Sequence, residues 1–190
     1  MSDISQIHKK SIAKALFLDR DGTLNVDYGY VFQPQKIQLL PNVIDAIHIF
    51  QKLNYLLFLF TNQPGIERGM YTRADVDACH QRLFQLLGEN PFTEICIAQE
   101  ANYAPENYRK PSPKFINEMV AKYQLNPKQC YMVGDKETDA FAGINGNIQS
   151  VLLDSDYPRS ERCVSGIRSG NILTFSDLIS FARYLQKIDT

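Results

Sequence analysis

The sequence contains no tryptophan, only three histidines and only four cysteines in 190 residues. No two cysteines have the close spacing of a thiol redox motif or a cysteine-rich metal site. We therefore expect reduced thiols, with Cys79 and Cys130 in the core. His48 and His80 fall in predicted helices without a second histidine at metal-ligand spacing. We expect both histidines at the surface or its boundary, and not as ligands.

The chain also lacks a strong net charge and long apolar runs. Its formal net charge is −1 and no stretch concentrates lysine and arginine, which argues against nucleic acid as a partner. The apolar run at 55–60 is far too short to span a bilayer, and residues 1–10 have no apolar core of a secretory signal. We expect a cytoplasmic protein without membrane association.

What is present is the composition of an ordinary globular domain. Hydrophobic residues make up 44% of the chain and charged residues 22%. A length of 190 residues suits one domain with a sizeable core. We predict an N-terminal tail over residues 1–12 and a single domain over 13–190, with a monomer as the expected state.

Short apolar runs alternate with helical patterns along the chain. Five runs are apolar over most of their length, as strands covered on both faces must be: 15–19, 55–61, 94–98, 130–134 and 150–154. Five helices are predicted: they begin at Pro41, after Thr72, at Pro111 and after Asp135, and the last spans 176–187. Asp75 forms a near capping box with Thr72 at the start of the second helix. The alternation predicts an α/β fold with a Rossmann-like, doubly wound parallel sheet.

Polar residues suited to chemistry stand at the ends of these segments. They are, in chain order, Asp19 and Asp21 after the first strand, Thr61 at the end of the second, Lys110 before the third helix, and Asp135 after the fourth strand. Each alone has an ordinary explanation as a helix cap or a solvated charge. Because ligands of parallel sheets bind beyond the carboxyl ends of the strands, we expect these side chains to meet in one site.

These residue types suit phosphoryl transfer. A carboxylate nucleophile and a phosphate monoester repel each other, so the attack needs cations that contact both groups. Asp19, Asp135 and the backbone carbonyl of Asp21 would supply oxygen ligands for Mg²⁺, and Lys110 would supply a second positive charge. Thr61 and neighbouring backbone N–H groups would hold the remaining phosphate oxygens. The sequence therefore predicts a magnesium-dependent phosphate site.

The second aspartate completes the expected reaction. Asp21, two residues beyond the nucleophile, can protonate the leaving oxygen and later take a proton from the attacking water. The predicted reaction is a two-step hydrolysis through a covalent aspartyl phosphate on Asp19.

These residues resemble, in order and across most of the chain, the four motifs of the haloacid dehalogenase (HAD) superfamily. Residues 19–23 (Asp-Arg-Asp-Gly-Thr) resemble motif one, Thr61 motif two, Lys110 motif three and residues 134–139 motif four. The resemblance implies a Rossmann-like fold with Asp19 as nucleophile and Asp21 as general acid and base. It also implies a phosphatase or mutase, since the transport ATPases of this superfamily have threonine at the second aspartate position.

A narrower set of segments is similar to the D-glycero-D-manno-heptose 1,7-bisphosphate phosphatases and, less closely, to the histidinol-phosphate phosphatases. The segments are 24–31, 41–43, 61–66, 109–111 and 132–136. This resemblance implies removal of the 7-phosphate of the heptose bisphosphate during the synthesis of lipopolysaccharide precursors. These families are nearly capless, and only 35 residues separate Asn25 from Thr61, too few for a large lid domain.

The same resemblance implies a set of substrate-binding residues. Arg109 would recognise the sugar or its second phosphate, a task that suits the planar fork of a guanidinium. The others are Asp27, Tyr28, Gly29, Tyr30, Asn62, Gln63, Pro64 and Lys136. For Asp139 two interpretations stay open, a partner of the metal or of Lys136, and an ordinary helix residue.

One departure from these families concerns zinc. They usually carry a loop with Cys-x-His and then Cys-x-Cys just before Arg-Lys-Pro. Here Cys96 stands at the first position, but the other three ligands are replaced by Ala98, Glu106 and Tyr108. A single thiolate cannot form a tetrahedral structural site, so we expect no bound zinc. We expect the loop to be held by its own packing, through Tyr103 and Tyr108.

Three functions remain open on the sequence. The first is a small-molecule phosphatase acting on the heptose bisphosphate, with histidinol phosphate or another small sugar phosphate as the alternative substrate. The second is a nucleic-acid end phosphatase, which would need a basic groove with interleaved aromatic residues that the sequence does not show. The third is a binding protein that kept the fold without catalysis, although all five predicted catalytic and metal-binding residues are present.

Overall fold

Six strands alternate with six helices over residues 13–189, the part of the chain that the computed structural model describes. The predicted tail at 1–12 lies outside the described residues, as does Thr190. The strands are β1 (Ala13–Leu18), β2 (Tyr55–Asn62), β3 (Glu94–Ala98), β4 (Leu125–Gly134), β5 (Gln149–Leu153) and β6 (Ile172–Phe175). The helices are α1 (Val43–Lys52), α2 (Arg73–Leu87), α3 (Lys114–Tyr123), α4 (Glu137–Asn145), α5 (Glu161–Arg168) and α6 (Leu178–Ile188), and a short 3₁₀ helix spans Pro34–Lys36.

The strands form one parallel sheet in the order β3-β2-β1-β4-β5-β6. In the centre, Leu16 of β1 lies opposite Leu57 of β2 and Tyr131 of β4. The order reverses direction between β1 and β4, which creates a crevice beyond their carboxyl ends. The predicted α/β, Rossmann-like class is confirmed.

Both faces of the sheet are buried, which explains the nearly continuous apolar strands. Successive residues of β1 point to opposite faces: Leu16 and Leu18 join a cluster with α1, α2 and α6, whereas Phe17 packs in a second cluster with α3. In that second cluster Phe17 stacks on Phe58, with ring centroids 4.9 Å apart. The two cores fix β1 on both sides, so the residue that follows it is rigidly placed.

All five predicted strands are present, but one strand and one helix were missed. β6 has four residues, of which only Ile172 is buried, so it gives no clear apolar run. α5 is mostly polar and buries Cys163 alone. Both lie at the end of the sheet farthest from β1, where little apolar surface is needed.

Helix α2 confirms one local prediction and corrects another. The predicted capping box is confirmed, since Thr72 and Asp75 satisfy each other's backbone N–H groups before the first turn. The helix ends at Gly88, which has a φ of 86°. The prediction for His80 was wrong: it is 3% exposed, and burial, followed by the charge of Arg20, lowers its pKa to about 3.

The remaining general expectations concern thiols and membranes. The four cysteines are all buried and free, as predicted for Cys79 and Cys130. No helix in the described range 13–189 has the length and apolar character needed to cross a bilayer.

Candidate active site

Three carboxylates meet where β1 and β4 end. Asp19 follows β1, Asp135 follows β4, and Asp139 lies in the first turn of α4. One carboxylate oxygen from each lies within 4.8 Å of the other two. Gly22 makes this approach possible, because a Cβ there would lie 2.2 Å from Oδ2 of Asp135, and its φ of 79° suits glycine. The crevice thus holds an acidic cluster that includes two of the predicted metal ligands.

The electrostatics of this cluster fit a divalent cation. Asp135 is 2% exposed, and its Oδ1 has no hydrogen-bond partner among the described residues. Burial, followed by the charges of Asp19 and Asp139, raises the pKa of Asp135 to about 7. Buried carboxylates that repel one another are stabilised by a hard cation with oxygen ligands, such as Mg²⁺. The carboxylate of Asp21, for which only the backbone carbonyl was predicted as a ligand, lies outside the cluster.

Lys110 supplies the positive charge next to Asp19. Its Nζ lies 2.9 Å from Oδ1 of Asp19 and 2.6 Å from Oδ1 of Asp139, and it donates to the carbonyl of Phe60 at 2.7 Å. Burial alone would lower the pKa of Lys110, but Asp139 and Asp19 outweigh burial and raise the pKa above its usual value. The ammonium group therefore stays charged and fixed against the predicted nucleophile.

The nucleophile itself keeps one oxygen available. Oδ1 of Asp19 accepts from the backbone N–H of Arg20 at 2.8 Å and faces Lys110. Over residues 13–189, the hydrogen bonds and ion pairs of this carboxylate all use Oδ1. Oδ2 is therefore available to a phosphorus atom or a metal ion.

Asp21 is held by four donors. Arg20, which is fully buried, grips the carboxylate through Nε at 3.0 Å and Nη2 at 2.8 Å. Asn25 donates to Oδ1 at 2.8 Å, and Gln63 donates to Oδ2 at 3.1 Å. This arrangement fixes the orientation of the predicted acid and base, and the sequence argument had assigned no role to Arg20 or Asn25.

The end of β2 links several predicted residues through amide side chains. Gln63 donates to Oγ1 of Thr61 at 2.9 Å and accepts from the hydroxyl of Tyr71 at 2.9 Å. Asn62 bonds the backbone of Lys110 in both directions, accepting from its N–H at 2.9 Å and donating to its carbonyl at 3.2 Å. Both amides therefore position other site residues, in addition to the substrate contacts predicted for them.

A cleft of 300 Å³ opens onto these groups. Most of the predicted site residues line it: Asp19, Asp21, Gly29, Tyr30, Thr61, Asn62, Gln63, Pro64, Arg109, Lys110 and Lys136. Tyr71, Thr138 and Asp139 complete the lining. Asp27 and Asp135 border an adjoining cavity of 530 Å³. Tyr28 lines neither cavity; it is 56% exposed and its hydroxyl donates to Gln38, so its substrate contact stays a prediction.

The loop after β5 adds contacts that the sequence did not indicate. Tyr157 donates to Oδ2 of Asp27 at 2.8 Å, and the same oxygen accepts from Nζ of Lys136 at 2.7 Å. Nζ of Lys136 also lies 4.7 Å from the centre of the Tyr157 ring. Arg159 donates to the carbonyl of Asp135 at 2.7 Å. Residues of this loop therefore contact both Lys136 and Asp135 and hold them in position.

Carboxylates hold the loop before Arg109, for which we expect no zinc. Glu67 accepts from the backbone N–H of Ala101, and Glu100 accepts from that of Tyr108 at 3.0 Å. Tyr108 packs against the core cluster that includes Phe115, and its hydroxyl donates to Glu118 of α3 at 3.1 Å. Tyr103 is 49% exposed and makes no such contact within the described residues.

The sequence comparisons identify relatives that match about three quarters of the chain. The HAD-hydrolase-like family model matches residues 107–173. The D-glycero-beta-D-manno-heptose-1,7-bisphosphate 7-phosphatase of Helicobacter pylori strain 26695 is 39% identical over 147 residues, 74% of this chain and 83% of the relative. The enzyme of the same name from Haemophilus influenzae is 32% identical over 164 residues, 76% of this chain and 84% of the relative.

Solved structures show the same fold. The D,D-heptose 1,7-bisphosphate phosphatase of B. bronchiseptica, solved in complex with magnesium and phosphate, superimposes with a TM-score of 0.77 at 23% identity. The match covers 92% of this chain and 99% of that chain. A HAD-like phosphatase from Mesorhizobium loti gives a TM-score of 0.74 at 29% identity, over 94% and 87% of the two chains. The chain therefore belongs to the HAD-like phosphatases, in the family of the heptose-1,7-bisphosphate 7-phosphatases, and is a phosphoric monoester hydrolase.

Proposed function

We propose that this enzyme removes the 7-phosphate of D-glycero-D-manno-heptose 1,7-bisphosphate, a step in the synthesis of lipopolysaccharide precursors, through an aspartyl phosphate on Asp19. The observation that carries the chemistry is the arrangement around Asp19: it belongs to the acidic cluster and lines the cleft, its Oδ1 is paired with Lys110, and its Oδ2 has no bond to the described residues. The substrate is supported by the names of the relatives, which are 30–39% identical over about three quarters of the chain.

The proposed reaction has two steps. Oδ2 of Asp19 attacks the phosphorus, and the bond from phosphorus to the sugar oxygen breaks as Asp21 transfers a proton to that oxygen. Asp21 then takes a proton from water, which attacks the phosphorus and releases phosphate and the Asp19 carboxylate. Lys110 and Thr61 stabilise the charge on the phosphate oxygens throughout. Asp21 enters the first step protonated and regains its proton from water in the second, while the donors from Arg20, Asn25 and Gln63 fix its orientation.

Asp19 and Asp135, with the carbonyl of Asp21, would hold Mg²⁺. When bound, the ion would neutralise charge between the nucleophile and the phosphate. Asp139 contacts Lys110 and accepts from the backbone N–H of Lys136 at 3.0 Å, so it would orient these groups instead of binding the metal directly.

A phosphate-release assay tests the function. Heptose 1,7-bisphosphate, histidinol phosphate and a 3′-phosphorylated oligonucleotide are compared with and without Mg²⁺. We expect Mg²⁺-dependent release from the heptose bisphosphate at the highest kcat/KM. A preference for histidinol phosphate would change the proposed substrate but leave the proposed reaction mechanism in place. Activity on the oligonucleotide alone would reject the assignment as a small-molecule phosphatase.

Magnesium should also raise the melting temperature. At a concentration about 100-fold above its Kd, a ligand adds about 2.7 kcal/mol, or about 5–10 °C for a protein of this size. We expect this shift in the wild type and none in Asp135→Asn, whose metal-free form should be at least as stable because one of three repelling carboxylates is gone. Calorimetry measures both values.

The matched control is Asp45→Asn, which changes an exposed aspartate on α1 and should keep the full shift. An equal magnesium shift in Asp135→Asn would remove Asp135 from the metal site.

We also propose that the folded enzyme needs no zinc. Burial raises the pKa of the Cys96 thiol to about 12, so the one cysteine left of the family's zinc loop is a poor thiolate ligand. We expect less than about 0.1 zinc per chain by elemental analysis and unchanged turnover in Cys96→Ala. Stoichiometric zinc that is lost in Cys96→Ala would contradict this prediction.

A further inference from the structure

Two arginines bond to consecutive carbonyls of the loop at one edge of the cleft. Arg109 lines the cleft, and its Nη1 donates to the carbonyl of Glu100 at 3.2 Å. Arg68, in the turn after β2, donates to the next carbonyl of the same loop, that of Ala101, at 3.3 Å. Its Nη1 also donates to the hydroxyl of Tyr30, another lining residue, at 2.6 Å. Two arginines from different parts of the chain therefore bond to the same loop at the same edge of the cleft.

Their charges are not neutralised. Within residues 13–189, neither Arg68 nor Arg109 forms an ion pair with a carboxylate. The nearby carboxylates of Glu67 and Glu100 accept instead from backbone N–H groups of the loop. Burial lowers the pKa of Arg109, and among its charged neighbours Arg68 has the largest effect, lowering it further. Like charges held this close are stabilised by a bound anion.

The position of Arg68 is set by the same turn that carries Gln63, the donor to Asp21. The backbone N–H of Arg68 donates to the carbonyl of Pro64 at 3.2 Å. Gly65 packs so tightly on Tyr71 that a Cβ there would lie 2.1 Å from the ring. The backbone of Arg68 is therefore held in the same turn as Gln63, and its guanidinium is positioned by its bonds to Tyr30 and Ala101.

We propose that Arg68 joins Arg109 in a two-guanidinium subsite that binds the second phosphate of a sugar bisphosphate and so determines the preference for bisphosphate over monophosphate. This inference rests on the proposed function, and it assigns a role to a residue that was not among the predicted site residues. A phosphate dianion matches two positive charges, and each guanidinium keeps N–H groups that the loop carbonyls do not use. One phosphate group lies at Asp19 while the other contacts the arginine pair.

The experiment measures affinity in the Asp19→Asn background, where neither ligand is consumed. Calorimetry with Mg²⁺ compares heptose 1,7-bisphosphate with heptose 7-phosphate. We expect Arg68→Gln to reduce the ratio of the two affinities by about tenfold or more, as for a lost charge-assisted contact. Arg68→Lys should recover part of the ratio, because lysine keeps the charge without the planar fork. Arg82→Gln, which changes an exposed arginine on α2, should keep the starting ratio.

Turnover by the wild type is a separate measurement, so the two proposals can fail independently. Wild-type protein without activity on the heptose bisphosphate would reject the proposed function, while a ratio that falls in Arg68→Gln would still support the subsite. A ratio that Arg68→Gln leaves unchanged, or no preference for the bisphosphate at the start, would overturn the inference.

Discussion

Replacing Asp19 with asparagine is expected to reduce phosphate release by about 10⁴-fold or more, the scale of loss when a covalent nucleophile is removed. The substitution keeps the size of the side chain and an oxygen that can accept from the backbone N–H of Arg20. It removes only the charge and the nucleophilic oxygen. Steady-state phosphate release with the heptose bisphosphate and Mg²⁺ gives the rate, and circular dichroism shows whether the fold is kept.

The control for this variant is Asp154→Asn, which changes an exposed aspartate after β5 and should retain turnover. Residual activity within about tenfold of the wild type would mean that another group attacks the phosphorus, and the aspartyl phosphate would have to be abandoned.

The second large effect is expected from Lys110→Met. Lys110 is 2% exposed and pairs with both Asp19 and Asp139, so its loss leaves two buried carboxylates without a cation. Removing one partner of a buried ion pair costs about 3–5 kcal/mol of unfolding free energy. We expect this loss in urea denaturation without Mg²⁺, together with loss of turnover.

The double variant Lys110→Met/Asp139→Asn separates charge from packing. Because Asp139→Asn removes one of the uncompensated carboxylates, we expect the double variant to be more stable than Lys110→Met alone. Strictly additive losses from the two substitutions would show that the ion pair does not couple these residues.

The sequence predicted the centre of the site because chemistry and topology coincide there. Asp19 and Asp135 follow strands with strong apolar patterns, and parallel strands bring their carboxyl ends to one crevice. Lys110 was predicted from its place before the third helix and from the positive charge that the chemistry needs, and the structure brings it within 2.9 Å of Asp19. These residues are spread from 19 to 135, so the sheet order, not local sequence, makes them neighbours.

The outer contacts of the site could not be predicted from the sequence, and the reasons are physical. Tyr157 reaches Asp27 across 130 positions, and no local pattern encodes such a contact. Arg68 is a charged residue in a turn, a pattern that ordinarily indicates solvent. His80 was misplaced because histidine on a helix is compatible with either surface or core, and only tertiary packing buries it. The short strand β6 has too little buried surface to give a strand signal.

The loop beside Arg109 has a consequence for the chemical robustness of the enzyme. Its closure depends on carboxylates that accept from backbone N–H groups, those of Glu67 and Glu100. Peroxide oxidises thiolates, but it leaves carboxylates and amides intact. The four cysteines are buried free thiols, and the one nearest this loop, Cys96, lies in β3. The carboxylates that hold the edge of the cleft carrying both arginines are therefore groups that peroxide does not oxidise.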